Sequence, residues 1–148
     1  MRSHRTALLI AAVAALLVPA TAMEASAAPA SRISRVQYNS PGSDTGTNYS
    51  LNAEWVQIHN YGTTARALTG WTLRDLQGHV YKFPTFTLRP GSSVRVHTGS
   101  ATNTRYDLYW HSRAYIWNNT GDKAIVRNSA GSTIDTCAWG NGSGAINC

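Results

Sequence analysis

Acidic side chains are scarce in this chain: seven aspartates and glutamates stand against thirteen lysines and arginines. Cysteine is scarcer still, with two in 148 residues, Cys137 and Cys148. Two cysteines with no histidine nearby do not fill a zinc shell. Long apolar runs are missing apart from Ala7–Val18, which falls well short of the roughly 20 residues that a bilayer-spanning helix needs. After that run, no segment carries an apolar period long enough for a helix of several turns. Catalytic signatures are lacking too. There is no Gly-x-Ser-x-Gly elbow and no His-Glu-x-x-His. The later carboxylates, Asp44, Glu54, Asp75, Asp107, Asp122 and Asp135, show no catalytic spacing. His59, His79, His97 and His111 are scattered, with no i, i+2 pair on one strand. The expectation is a protein without enzymatic activity, metal or cofactor.

What the N-terminus does contain is ordered. Arg2 and Arg5 precede the apolar run, and Pro19 and Ala25-Ser26-Ala27 follow it. This is the sequence of a secretory signal peptide with an A-x-A cleavage site, placing cleavage after Ala27. The alanine-rich leader has a bacterial look. The mature part, residues 28–148, suits one domain and is long enough to bury a core. Without Arg2, Arg5 and Glu24, the thirteen basic and seven acidic side chains fall to eleven and six, a net charge of about +5. Export implies an oxidising environment, so Cys137 and Cys148 are expected to form a disulfide. It would tie down the tail Gly140-Asn141-Gly142-Ser143-Gly144. A secreted monomer with no membrane span is expected.

Strand signals recur along the mature part, separated by glycine, asparagine, serine and proline. The expected strands are Ile33–Tyr38, Glu54–Asn60, Leu68–Arg74, Val80–Phe83, Phe86–Leu88, Val94–Thr98, Lys123–Asn128 and Thr133–Cys137. Asn39–Ser50 reads as a loop and Asp107–Trp117 as an irregular aromatic stretch. Alternation sends Val56, Ile58, Trp71, Leu73, Tyr81, Phe83, Val94 and Val96 inward. Trp55, Gln57, His59, Arg74, Arg95 and His97 point outward. Asp75 and Asp122 fall in turns, where a carboxylate caps backbone N–H groups. Many short strands without helices make an all-β sandwich or barrel.

Five runs in order resemble the lamin-tail domain. They are Glu54-Trp55-Val56-Gln57-Ile58-His59-Asn60, Gly70-Trp71-Thr72-Leu73-Arg74-Asp75, Tyr81-Lys82-Phe83-Pro84, Leu88-Arg89-Pro90-Gly91 and Trp117-Asn118-Asn119-Thr120-Gly121-Asp122. The resemblance covers about Ile33 to Gly140 and implies an immunoglobulin-like β-sandwich. It makes Trp71 a core residue, Asn60 and Gly70 turn formers and Gly91 a hairpin glycine. The chain departs from the pattern at Gln57, where an acidic residue is common in the family, and at its cysteine-closed tail. Secreted members stand alone or are attached to hydrolases, and no hydrolase domain accompanies this one.

Function therefore has to come from what the core leaves outside. In Asp107–Trp117 and just before it, aromatics are interleaved with Arg105 and Arg113. Arg105, Tyr109, Trp110, Arg113 and Tyr115 are candidates for stacking on sugar rings or unpaired bases. The same aromatics would also serve to roof one end of the sandwich. Arg74, Arg95 and Arg127 would form an outward basic row if their strands are neighbours, offering phosphate contacts without sequence readout. The reading is a secreted, non-enzymatic binding or scaffolding module. Its possible partners are an extracellular polyanion (DNA or an acidic wall polymer), a polysaccharide or a protein. A sugar site should survive added salt and be lost on Trp110→Ala.

Overall fold

The structure, a computed structural model, describes residues 27–148. The expected signal peptide lies almost wholly outside the described residues. Eleven strands and one short helix follow Ala30. They are β1 (Ser31–Gln37), α1 (Asn48–Asn52), β2 (Trp55–Asn60), β3 (Arg66–Ala67), β4 (Thr72–Arg74), β5 (Val80–Lys82) and β6 (Thr87–Leu88). Then come β7 (Ser93–His97), β8 (Asp107–Tyr109), β9 (Asp122–Arg127), β10 (Thr133–Trp139) and β11 (Ala145–Asn147). One sheet has the order β11-β1-β2-β7-β8 and the other β10-β9-β4-β5, with a small β3-β6 ribbon beside them. All pairings are antiparallel except β7 with β8. This is the immunoglobulin-like sandwich the sequence led us to expect. No helix among the described residues is long and apolar enough to cross a membrane.

The core forms where the inward faces of the two sheets meet. Val56, Ile58, Val94 and Val96 come from one sheet, and Leu73, Tyr81, Ala124 and Val126 from the other; all are buried. Trp71 and Phe83 are buried with them. Apolar residues at every second position, closed by a turn former, account for these faces. Asn60 is buried at the end of β2. Its side chain donates to the carbonyls of Thr64 and Leu88 and accepts from the Gly62 N–H, so one amide holds two connections.

Some boundaries differ from expectation for local reasons. Leu68–Arg74 is not one strand. Gly70 takes a φ of 76° and the Trp71 N–H turns back to the Leu68 carbonyl, which leaves β3 and β4 on either side. The loop Asn39–Ser50 runs into α1, capped by the Thr47 hydroxyl. Asp107–Tyr109 pairs with β7 instead of staying irregular. The glycine-rich tail returns as β11 along β1.

That return explains the tail's glycines. The Gly144 N–H donates to the Tyr38 hydroxyl at 3.1 Å, and a Cβ on Gly142 would sit 2.6 Å from the same oxygen. Tyr38 in turn stacks on Trp139 with ring centroids 4.9 Å apart. Cys137 and Cys148 are bonded, with Cα atoms 5.9 Å apart, closing the segment that includes β11. Cys148→Ser is expected to cost on the order of 3 kcal/mol in denaturant unfolding, with faster amide exchange across Ala145–Asn147. Unchanged stability would mean that β11 is held by its backbone pairing and Tyr38 alone.

Candidate binding face

Half of the six carboxylates among the described residues are turned inward. Glu54, Asp75 and Asp122 are all buried. Asp75 Oδ1 accepts the backbone N–H groups of Gln77, Gly78 and His79, and Oδ2 lies 2.5 Å from His79 Nδ1. Asp122 accepts from the N–H groups of Leu76, Asn118 and Lys123, and so joins the turn after β4 to the turn before β9. Both aspartates thus cap turns, as their sequence context implied. Asp135 of β10 accepts the Ile33 N–H at 2.9 Å, tying one sheet to the other.

Glu54 is the most constrained of these groups. Its Oε1 accepts the Thr98 hydroxyl at 2.6 Å and the N–H groups of Ile116 and Trp117 at 2.9 and 3.3 Å. It therefore fixes the aromatic stretch against the start of β2 and the end of β7. Oε2 has no hydrogen-bond partner among the described residues. Burial pushes the carboxyl up to about 7, against the three hydrogen bonds that favour its ionised form.

The cations are left outside and uncompensated. None of the eleven arginines and lysines among the described residues is buried. The two ion pairs there both use histidine, His79 with Asp75 and His97 with Asp107. No arginine or lysine among the described residues is within ion-pair distance of a carboxylate.

Register places several of these cations on the outward face of the five-stranded sheet. One row across it reads Asn147, Arg35, Gln57, Arg95, Asp107. The next reads Ala145, Gln37, Trp55, His97, Tyr109. A third, shorter row holds Arg32, His59 and Ser93. The guanidinium of Arg95 lies 4.3 Å from the Trp55 ring centroid, and that of Arg32 lies 3.9 Å from the Tyr61 centroid. His97 stacks on Tyr109 at 5.1 Å. Burial and the Asp107 charge hold the Tyr109 phenol above its usual range. A guanidinium stacked on a ring keeps its N–H edge free for an anion.

Arg35 reaches this face because β1 is bulged. Register shifts between Ile33 and Arg35, so Ile33 and Val36 both face the core although they are three residues apart. Gln57 sits between Arg35 and Arg95 and accepts from Arg95 Nε at 3.1 Å. An acidic residue there would neutralise the centre of the face.

The residues singled out from sequence divide among several places. Arg74 and Arg127 are close on the outward face of the four-stranded sheet, since β4 and β9 are neighbours and Arg127 pairs with Thr72. Arg95 lies in the other sheet, so the three arginines do not make one row. Tyr109 belongs to the five-stranded face. Trp110 packs against the core, with Tyr81 and Trp117 centroids at 5.7 and 6.0 Å. The Tyr115 hydroxyl is within hydrogen-bond distance of the Ser50 hydroxyl and the Gly46 N–H, holding that loop. Arg105 and Arg113 are exposed on either side of β8. The aromatic stretch is thus no contiguous ligand patch. Sequence reasoning missed Arg32, Arg35, Trp55 and Tyr61. The three-residue step from Ile33 to Val36 was the available signal for Arg35. Among the described residues, no group of three or more His, Cys, Asp or Glu side chains is arranged to hold a metal ion.

Two packed sheets, turns pinned by buried carboxylates and a cationic outer face define a β-sandwich module built to present a surface. No curated protein matches this chain. The chain belongs to the lamin tail domain family, which matches residues 24–141. That family consists of non-catalytic immunoglobulin-like modules.

Glu54 is a weaker acid in the folded chain than in the unfolded one. Its native value of about 7 exceeds the ordinary 4.5, so the folded chain holds this proton more tightly than the unfolded chain. Its contribution to stability is full below the ordinary value and is lost as pH rises to the native one, a change on the order of 3 kcal/mol. Glu54→Gln should remove this slope from denaturant unfolding measured across that window. Equal slopes in both proteins would show that folding leaves the proton affinity of Glu54 unchanged.

Proposed function

We propose that the chain is a secreted, monomeric, non-enzymatic binding module whose five-stranded face holds an extracellular polyanion. The observation that carries this is the absence of any carboxylate partner for the arginines on that face, with Gln57 between Arg35 and Arg95. Adjacent strands are about 4.8 Å apart, so Arg35 and Arg95 span roughly 10 Å across β2. Arginines at that spacing, interleaved with Trp55, Tyr61 and Tyr109, suit a chain of phosphates or carboxylates carrying rings. Export is supported by the basic-apolar-small order of residues 1–27 and by the disulfide. The polysaccharide reading receives less support, because the Trp110 ring is partly buried and packs against Tyr81 and Trp117.

Gln57→Glu tests the proposal without removing a core residue. It restores an acidic side chain between two arginines and should leave the fold intact. Binding to single-stranded oligothymidylate is expected to fall by about tenfold, and the slope of log affinity against log salt to flatten by about 1. Binding by the unaltered chain should weaken steeply from about 50 to about 200 mM salt. Affinity indifferent to both salt and Gln57→Glu would contradict the proposal.

A further inference from the structure

A cleft of about 410 Å³ opens beyond the starts of β7 and β8, lined by Thr87, Leu88, Arg89, Ser92, Arg105 and Tyr106. It follows from the topology. β7 and β8 are parallel, so the residues before them, Ser92 and Tyr106, arrive at the same end of the sheet. No tight hairpin can join a parallel pair, and the chain must instead travel the length of the sheet between them. The turn after β6, where the Gly91 N–H donates to Asn60, closes another side.

The lining has a mixed chemistry. Leu88 is buried and gives an apolar floor, while the Tyr106 ring is half exposed. Arg105 lies over that ring, its guanidinium carbon 4.6 Å from the centroid. Arg89 is a second cation, and like Arg105 it lacks a carboxylate partner among the described residues. Thr87 and Ser92 add hydroxyl groups. Two guanidinium groups match a doubly charged tetrahedral anion. An apolar floor and an aromatic wall match a ring attached to that anion. The volume falls within the ordinary range for a small-ligand pocket, about 300–1,000 Å³.

We propose that this cleft binds a phosphate monoester carried on a sugar ring, with Arg89 and Arg105 on the phosphate and Tyr106 against the ring. The site goes beyond the sheet face described above and does not depend on it.

The test is an amide-resolved NMR titration of the mature chain with glucose 6-phosphate, glucose and inorganic phosphate. Glucose 6-phosphate should shift the amides of Ser92, Arg105 and Tyr106 and saturate. Inorganic phosphate should bind about tenfold more weakly, and glucose should leave these amides unmoved. Arg89→Gln and Arg105→Gln should each weaken glucose 6-phosphate about tenfold. Tyr106→Ala should reduce it to the level of inorganic phosphate. These side chains are exposed, so the variants should fold. Gln57→Glu should leave glucose 6-phosphate binding unchanged, which separates this site from the polyanion face. The proposal is overturned if glucose binds as well as its phosphate, if the shifts fall on Arg35 and Arg95 instead, or if neither arginine variant matters.

Discussion

Carboxylates that hold backbone N–H groups are the interaction on which the rest of this sandwich depends. Four of the six among the described residues do so. Asp75 and Asp122 shape the turns at one end of the four-stranded sheet. Asp135 closes the gap where β1 bulges, and Glu54 fastens the aromatic stretch to β2 and β7. A carboxyl group offers two acceptor oxygens on one short side chain, and a small all-β domain with long connections has many unpaired amides to satisfy. Placing scarce acidic residues there has a second effect, because they are no longer available to neutralise the surface.

The basic face is thus partly a by-product of how the turns are held. Even so, its arrangement is specific. The bulge in β1 turns Arg35 outward, the register sets it across Gln57 from Arg95, and the rings of Trp55 and Tyr61 hold two guanidinium groups in place. Gln57 leaves the middle of that row without a negative charge. A single carboxylate there would engage both neighbours at once.

The sequence was informative where a residue's role is local. Period-two alternation was enough to send Val56, Ile58, Leu73, Tyr81, Val94 and Val96 to the core, and turn chemistry was enough to place Asp75 and Asp122. It was uninformative where roles depend on strands distant in the chain. Nothing local tells that β7 lies beside β2 and away from β9, so Arg95 was grouped with Arg74 and Arg127. Nothing local tells that the tail after Gly144 adds a strand to β1, since its pairing partner is more than a hundred residues away. Trp110 and Tyr115 looked like ligand contacts because aromatics beside arginines look alike in both settings. Their packing against Tyr81 and Ser50 shows only in three dimensions.

One face of the sandwich, and not its overall charge, is proposed to hold the polyanion. The most direct measurement is a chemical-shift map of the chain bound to oligothymidylate at moderate salt. Changes are expected at Arg32, Arg35, Trp55, Arg95 and Tyr109, with Arg74 and Arg127 on the opposite sheet unmoved. Changes spread evenly over both sheets, or confined to Arg74 and Arg127, would contradict it.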